Sequence, residues 1–291
     1  MTGTGLGADR PQTDPAGEPE DMVRRSLHHG PPRPLYSAIE ARSLVEAALL
    51  PAALPLLALA PSGDGHPVLL LPGFLGDERS LVALKLFLRG KGYQVETWGL
   101  GRNVGFQQKH VRALPEKLRH LHFKTGRRVS LVGWSLGGVF SLYCAHIVPQ
   151  CVRSVVTLGS PVSTGPGGGN APAFVQGLYR LVAHPMGGQV HAMQPKAKPL
   201  RDGPLPDVPV SCLYSRTDGV VPPQEATIDG LAGRHENIQV AGSHVGLGFN
   251  GLVLAIVADR LAQPEDAWQP FRPAGPLGMA QRLALNAESF L

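Results

Sequence analysis

Short apolar runs alternate with longer stretches of helical periodicity from about residue 67 onward. Helical patterns fill most of the gaps between the runs, which is typical of βαβ units and a parallel sheet. Right-handed crossovers would place helices on both faces of this sheet and the reactive loops at the carboxyl ends of its strands. We therefore expect an α/β fold with a mostly parallel, twisted sheet of about six strands, at 68–71, 93–98, 129–132, 154–158, 208–214 and 238–240.

The helical segments are predicted from apolar positions spaced three and four residues apart. Residues 77–88 and 107–122 form two such segments, and we expect Pro115 to interrupt the second. A third segment follows residue 135 and shows the i, i+3, i+4, i+7 spacing of a buried helix face. The apolar positions of this third helix are Leu136, Val139, Phe140, Tyr143, Cys144 and Ile147.

Both ends of the chain depart from this alternation. Residues 1–35 are rich in Pro and Gly and poor in large apolar residues, so we expect a disordered segment. Residues 36–65 form a helical lead-in that begins with a capping box at Ser37-Ala38-Ile39-Glu40. Because Pro51 breaks this lead-in, we favour packing on the domain over membrane contact. The main domain then covers 66–265, and 266–291 is a C-terminal extension that we expect to be helical.

The gap at 163–207 is too long for an ordinary loop between two strands. We interpret it as a short lid insertion. The glycine-rich start at 165–170 resembles a phosphate-binding loop, but no Gly-Lys-Ser/Thr follows, so a hinge is the better interpretation. Residues 171–183 are helical in pattern and carry an apolar face that could cover a site.

Composition narrows the class of protein. Hydrophobic residues make up 43% of the 291 residues and charged residues 17%, which is typical of a globular protein. The net charge of +5 comes from scattered basic residues, so nucleic-acid binding is not expected. We expect free, buried thiols and a cytoplasmic location, because the three cysteines lack the paired spacing of a disulfide or zinc site. These cysteines are Cys144, Cys151 and Cys212.

One hexapeptide points to nucleophilic catalysis. Residues 133–138, Gly-Trp-Ser-Leu-Gly-Gly, lie directly between a predicted strand and a predicted helix. In the G-x-S-x-G turn, the serine occupies a strained strand-to-helix corner, and the glycines prevent collisions with neighbouring backbone. This nucleophile elbow would expose the hydroxyl of Ser135 beside a helix N-terminus.

A serine nucleophile needs a base and an acid that orients the base. Asp218 follows the strand that ends at Tyr214, and His244 follows the next strand. Serine, acid and histidine in this chain order are typical of one class of serine hydrolase. Asp207 and Asp229 are weaker candidates for the acid.

Two backbone amides are needed to stabilise an oxyanion. Leu136 follows the serine and supplies the first donor by position. The segment 70–77, Leu-Leu-Pro-Gly-Phe-Leu-Gly-Asp, supplies the second at Phe74, and Asp77 is expected to cap the helix that follows.

Together, these four motifs in residues 66–261 resemble the α/β-hydrolase superfamily, particularly bacterial esterases and lipases with a Pro-Gly-Phe oxyanion turn. The resemblance implies Ser135 as nucleophile, His244 as base and then acid, and Asp218 as its orienting group. It also implies Phe74 and Leu136 as oxyanion donors. One departure is that no antiparallel strand pair precedes His66.

We therefore predict a serine carboxylic ester hydrolase that acts through an acyl-serine intermediate on a small-molecule ester or acyl substrate. We expect no cofactor and no metal, since His120 and His122 lack a third ligand at a suitable spacing. Alternatives are acyl transfer or thioester cleavage by the same triad, a membrane-surface lipase, and a non-catalytic binding protein. Apolar residues next to the catalytic positions predict an apolar substrate site; they are Leu75, Trp134, Val220 and Val245. For Trp134, packing in the core is an alternative, and we favour it over a contact with substrate.

Overall fold

The computed structural model describes residues 34–163, 206–228 and 233–289. Nearly all of the predicted disordered segment and of the predicted lid fall outside these ranges, as does Asp229. Within them, the strands are β1 (Pro67–Leu71), β2 (Gln94–Thr97), β3 (Val129–Trp134), β4 (Val152–Leu158), β5 (Val210–Tyr214) and β6 (His235–Gln239).

These strands form one sheet in the order β2-β1-β3-β4-β5-β6, and every neighbouring pair is parallel. The predicted α/β class and the parallel sheet of about six strands are therefore confirmed. β6 begins at His235, three residues before the predicted start. The apolar pattern does not extend to the observed start, because the buried position 236 is a glutamate. Glu236 pairs with Arg260 at 3.0 Å and accepts a hydrogen bond from Ser211 at 2.6 Å.

Helices flank the sheet on both sides. Alternation along β1 sends Leu69 and Leu71 to one face, and Val68 and Leu70 to the other. The helices are α1 (Pro34–Ala38), α2 (Ser43–Leu49), α3 (Leu54–Leu59), α4 (Val82–Gly90), α5 (Gln108–Thr125), α6 (Leu136–Ile147), α7 (Gly251–Leu261) and α8 (Gly275–Glu288). The first face of the sheet packs on α5 and α6, and the second face packs on α4 and α7. Residues of α3 and α8 also pack against the core on this second face.

The predicted interruption at Pro115 is wrong, because α5 continues through it to Thr125. Proline has no N–H for the carbonyl four residues earlier, here that of Val111. The hydroxyl of Tyr143 on α6 lies 3.4 Å from this carbonyl and donates to it instead. A contact from the neighbouring helix thus replaces the missing hydrogen bond.

Three short α-helices and two 3-10 turns lie between residues 34 and 59, but the predicted capping box does not form. Ala38 rather than Ser37 is the N-cap residue of the 3-10 turn that follows, and the hydroxyl of Ser37 donates to the carbonyl of Gly219 at 2.7 Å. Glu40, in the short 3-10 turn Ile39–Arg42, likewise bonds to distant backbone amides. Both side chains that predicted a local cap are taken up by tertiary contacts.

No single helix of the described ranges is long and apolar enough to span a membrane, although the bent pair 34–49 and 51–59 passes the length and hydropathy test together. Leucines on this pair remain exposed, with Leu44 at 75% and Leu59 at 68%. The cysteines Cys144, Cys151 and Cys212 are free and buried, as predicted. Asp77 also acts as predicted, since its carboxylate accepts the N–H of Arg79 at 2.8 Å.

Candidate active site

Ser135 occupies the corner between β3 and α6 with φ 52° and ψ −121°. A positive φ is unusual for a residue other than glycine, and such strain concentrates at functional sites. The N–H of Ser135 donates to the carbonyl of Leu158 on β4 at 2.8 Å, which fixes the corner against the sheet. The corner thus projects a partly exposed serine from the carboxyl edge.

The glycines around Ser135 are required by close packing of backbone on backbone. A Cβ on Gly133 would collide with Gly137 and Gly138, and a Cβ on Gly137 would collide with the carbonyl of Leu71. A Cβ on Gly138 would strike Ser160. The turn therefore tolerates no side chain at these three positions.

Asp218 and His244, which the sequence places 26 residues apart, are in contact. The Nδ1–H of His244 donates to Oδ2 of Asp218 at 2.7 Å. The other carboxylate oxygen accepts the N–H groups of Val220 at 2.8 Å and Val221 at 2.7 Å. With Asp218 and His244 only 1% and 6% exposed, this arrangement orients the imidazole and leaves its Nε2 as the basic nitrogen.

The pKa of His244 is raised above its ordinary value of 6.5. Burial alone would lower it, because a charged imidazole is poorly solvated there. The negative charge of Asp218 and its hydrogen bond outweigh burial, and the charge of Glu40 adds to them. The imidazole thus gains basicity from its two carboxylate neighbours.

Gly159, at the end of β4, lies against this pair. Its φ is 53°, and a Cβ there would lie 2.9 Å from Oδ2 of Asp218 and 3.1 Å from Nδ1 of His244. Sequence reasoning missed this glycine, although its place directly after a predicted strand could have indicated it.

Trp134 links the serine corner to the histidine. Its indole N–H donates to the carbonyl of His244 at 3.1 Å, and its ring lies 3.4 Å from where a Cβ on Gly248 would be. The side chain packs against the core on the α7 face of the sheet. Of the other predicted substrate contacts, Val245 is 40% exposed, and Leu75 and Val220 are partly exposed.

The predicted oxyanion turn lies beside Ser135, since a Cβ on Gly73 would be 3.2 Å from the serine Cβ. Leu136 is the first residue of α6, so its N–H has no partner within the helix. Phe74 packs partly buried against the core, and Leu75 adopts a left-handed φ of 61°.

Asn103, which follows β2, fixes the shape of this turn. Its backbone carbonyl accepts from the N–H of Leu75 at 2.7 Å, and its own N–H donates to the carbonyl of Gly76 at 2.8 Å. Its side-chain amide donates to the carbonyl of Pro72 at 2.8 Å. No local sequence pattern predicts these contacts, because they join segments about 30 residues apart in the chain.

Two loops carry the acid and the histidine: the acid loop, residues 215–221, and the histidine loop, residues 240–246. Glu288 on α8 joins them, because its Oε1 accepts from the hydroxyls of Ser215 and Thr217 and from the N–H of Gly242. Arg42 of the lead-in joins them as well, donating to the carbonyls of Thr217 at 3.0 Å and Gly242 at 2.8 Å. Sequence reasoning missed both residues.

The remaining candidates stay apart from this edge of the sheet. Asp207 lies before β5 and pairs with Arg234 at 3.4 Å on the surface. His120 is exposed, and His122 faces the carbonyl of Arg127 at 3.1 Å. The part of the chain that the structure describes contains no cluster of three or more His, Cys, Asp or Glu side chains suited to a metal.

Comparisons with known proteins show similar structures with low sequence identity. The chain is similar to Aspergillus fumigatus lipase B, with a TM-score of 0.56, 16% identity, and coverage of 75% of this chain and 56% of that one. It is also similar to the mature form of Bacillus licheniformis lipase BlEst2, with a TM-score of 0.51, 17% identity, and coverage of 70% and 95%.

A sequence comparison finds similarity to the mouse (Mus musculus) serine hydrolase BPHL, with 32% identity over an alignment of 112 residues. This match covers 34% of this chain and 37% of that protein, so the chain spans little more than a third of the curated relative's length. No protein-family model matches the chain.

Proposed function

We propose that this chain, which has the α/β-hydrolase fold, hydrolyses carboxylic esters through an acyl-serine intermediate. One observation carries the proposal. Ser135 stands in a strained turn at the carboxyl ends of the strands, and the neighbouring Trp134 donates a hydrogen bond to the carbonyl of His244. The imidazole of His244 is in turn oriented by Asp218 at 2.7 Å. This is the set of groups that acyl transfer requires.

In the proposed reaction, the hydroxyl of Ser135 attacks the ester carbonyl while Nε2 of His244 takes its proton. Asp218 stabilises the imidazolium that forms. The amides of Leu136 and Phe74 donate to the oxyanion, and the positive end of α6 favours its charge. His244 then protonates the departing alcohol, and it later deprotonates the water that releases the acid.

Apolar side chains border these groups and favour an acyl chain or an uncharged ester. Val245, beside His244, is 40% exposed, and Leu75 and Val220 are partly exposed on the neighbouring loops. Such surfaces bind apolar substrate groups by removing them from water. The proposed substrate is therefore a small ester with an apolar acyl part.

The decisive test is the Ser135→Ala variant assayed with short p-nitrophenyl esters. We expect hydrolysis to fall by at least about a thousandfold, because the nucleophile is lost, with the thermal midpoint close to that of the wild type. Ser289→Ala, at an exposed serine directly after α8, is the matched control and should keep full activity. A Ser135→Ala protein that still hydrolyses these esters would overturn the assignment.

Acyl transfer to an alcohol or thiol differs only in the acceptor that removes the acyl group from Ser135. Including a competing alcohol in the same assay tests it, because ester exchange would then appear among the products. Labelling by a fluorophosphonate probe tests the catalytically silent alternative, since an inactive serine would not react.

A lipid-surface substrate is a second candidate, favoured by the exposed leucines of the lead-in. Leu44, Leu54 and Leu59 are at least 60% exposed, and α2 lies against the histidine loop. An ester chain-length series with and without detergent tests this candidate. A rise in rate when the substrate becomes emulsified would support it, and an unchanged rate would count against it.

A further inference from the structure

Glu40 lies in the lead-in, far from the catalytic residues in sequence but against them in space. It stands in the 3-10 turn Ile39–Arg42, between α1 and α2. Its carboxylate reaches loops that follow it by 179 and 204 positions. No sequence motif for catalysis includes this residue.

The carboxylate of Glu40 accepts three backbone hydrogen bonds from the two catalytic loops. Its Oε1 accepts the N–H of Gly219 at 2.8 Å and the N–H of His244 at 2.9 Å. Its Oε2 accepts the N–H of Val245 at 3.0 Å. One side chain thus joins the residue after Asp218 to the backbone of His244 itself.

This junction matters because the two loops leave different strands. The acid loop follows β5, and the histidine loop follows β6, so the contact between Asp218 and His244 depends on how the loops are held together. Hydrogen bonds to a charged acceptor are stronger than neutral ones. Displacements of about 1 Å in a catalytic group can lower rates by about a hundredfold.

We propose that Glu40 is a positioning residue for the ester hydrolysis proposed above, on which this inference rests: its carboxylate fixes the acid loop against the histidine loop and places a negative charge beside the imidazole. Glu46 differs from Glu40 in joining no second loop. It accepts the N–H of Ser243 at 2.7 Å and makes no hydrogen bond to the acid loop among those described.

The charge has a consequence of its own for His244. Asp218 contacts the imidazole directly, and Glu40 accepts the backbone N–H of His244 from the lead-in. The other charged side chains near the histidine loop, Arg42, Glu46 and Glu288, form hydrogen bonds with residues other than His244. Burial lowers the pKa of His244, and the charges of Asp218 and Glu40 raise it. Removing the charge of Glu40 should therefore lower this pKa.

Two variants of Glu40 separate the effect of its charge from the effect of its side-chain length. Glu40→Gln keeps the length of the side chain but loses the charge and turns an amide towards N–H donors. Glu40→Asp keeps the charge but is one methylene shorter, so it cannot hold all three N–H groups. Glu96→Gln removes one exposed carboxylate on β2, at the opposite edge of the sheet, and is the matched control.

For Glu40→Gln, we expect kcat on p-nitrophenyl esters to fall by about tenfold or more, with KM changed by less than about threefold. The acid limb of its pH profile should move to lower pH. Glu40→Asp should lower kcat while its acid limb stays close to that of the wild type. Glu96→Gln should match the wild type in both respects.

Fluorophosphonate labelling of Ser135 against pH, in the full-length chain, distinguishes failure of this inference from failure of the proposed function. A wild-type protein that does not label would refute the proposed function. If the wild type labels and Glu40→Gln labels at the same rate with the same acid limb, the positioning role is refuted. A merely structural role would lower the thermal midpoint of Glu40→Gln and leave the acid limb unmoved, which also refutes the proposal.

Discussion

At the scale of single residues, the same side-chain types behave differently in different surroundings. Nδ1 of His244 lies 2.7 Å from a carboxylate oxygen of Asp218, and Nδ1 of His66 lies 2.5 Å from a carboxylate oxygen of Asp64. Asp64, the carboxylate beside His66, is also bound by Arg127 and Arg153, whose positive charges lower the pKa of His66 and oppose the effect of Asp64. The pKa of His66 therefore falls to about 4, chiefly through burial, while that of His244 rises.

The raised pKa of His244 predicts where activity is lost in acid. In the proposed mechanism the imidazole must be neutral to accept the proton of Ser135, so kcat/KM should fall as the pH falls through the pKa of His244. We expect the midpoint of this acid limb to lie above the ordinary value of 6.5. Initial rates with a p-nitrophenyl ester across the pH range measure it, and a midpoint at or below that value would contradict the prediction.

The sequence indicated the residues of the proposed triad, and it missed residues whose side chains bind the loops around that triad. Ser135, Asp218 and His244 stand in short motifs next to strands, so local pattern was enough to select them. Glu40 and Asn103 act through backbone groups of distant segments. Their partners are set by tertiary packing, which no local spacing records.

At the scale of elements, apolar runs located the strands that are buried on both faces. β1 and β5 are buried at every position, and their predicted ranges overlap the observed ones closely. β6 alternates between buried and partly exposed residues, and a buried Glu236 within it weakened the apolar signal. Pro115 predicted a helix interruption that does not occur, because Tyr143 on another helix supplies the hydrogen bond that the proline cannot donate.

The β3-turn-α6 element predicts a sharp contrast between two glycines. In Gly137→Ala, the new Cβ would meet the carbonyl carbon of Leu71 at 2.7 Å and the carbonyl oxygen of Pro72 at 2.9 Å. We expect the free energy of unfolding to fall by about 1–3 kcal/mol, as for other overpacked sites. Ester hydrolysis should also fall, because the clash moves β1 and the turn beside Ser135.

Gly90→Ala is the matched control, because a Cβ at this last residue of α4 would meet nothing within 4 Å. Urea unfolding curves of the two variants give the comparison. Equal stability of Gly137→Ala and Gly90→Ala would show that the close packing at the serine corner is not required.

At the scale of the whole molecule, the two ends of the parallel strands have different roles. The carboxyl ends carry the proposed catalytic groups, and a polar network around His66 is buried at the amino ends. Nε2 of His66 lies 2.9 Å from the hydroxyl of Ser130, which in turn lies 2.9 Å from that of Ser154. Both His66 and Ser130 are fully buried, so this second Asp-His-Ser arrangement joins strands rather than facing a substrate.

The polar network around His66 predicts how stability depends on pH. The folded-state pKa of His66 is about 4, below the unfolded value of 6.5, so its contribution is complete above 6.5 and is lost as the pH falls towards 4. Between about pH 7.5 and about pH 5, this one group should remove about 2 kcal/mol from the free energy of unfolding. His110, whose pKa is also lowered to about 4 by burial, acts in the same direction. His244 acts in the opposite direction, because its folded-state pKa is raised.

Urea unfolding of the wild type and of His66→Gln at the two pH values isolates this contribution. Glutamine at position 66 cannot titrate, so the variant should be less stable at neutral pH but should lose about 2 kcal/mol less on acidification. His120→Gln, at an exposed histidine on α5, should keep the full pH dependence of the wild type. An equal loss in the wild type and His66→Gln would mean that His66 takes up no proton on unfolding, and the acid sensitivity would then lie with the other buried groups.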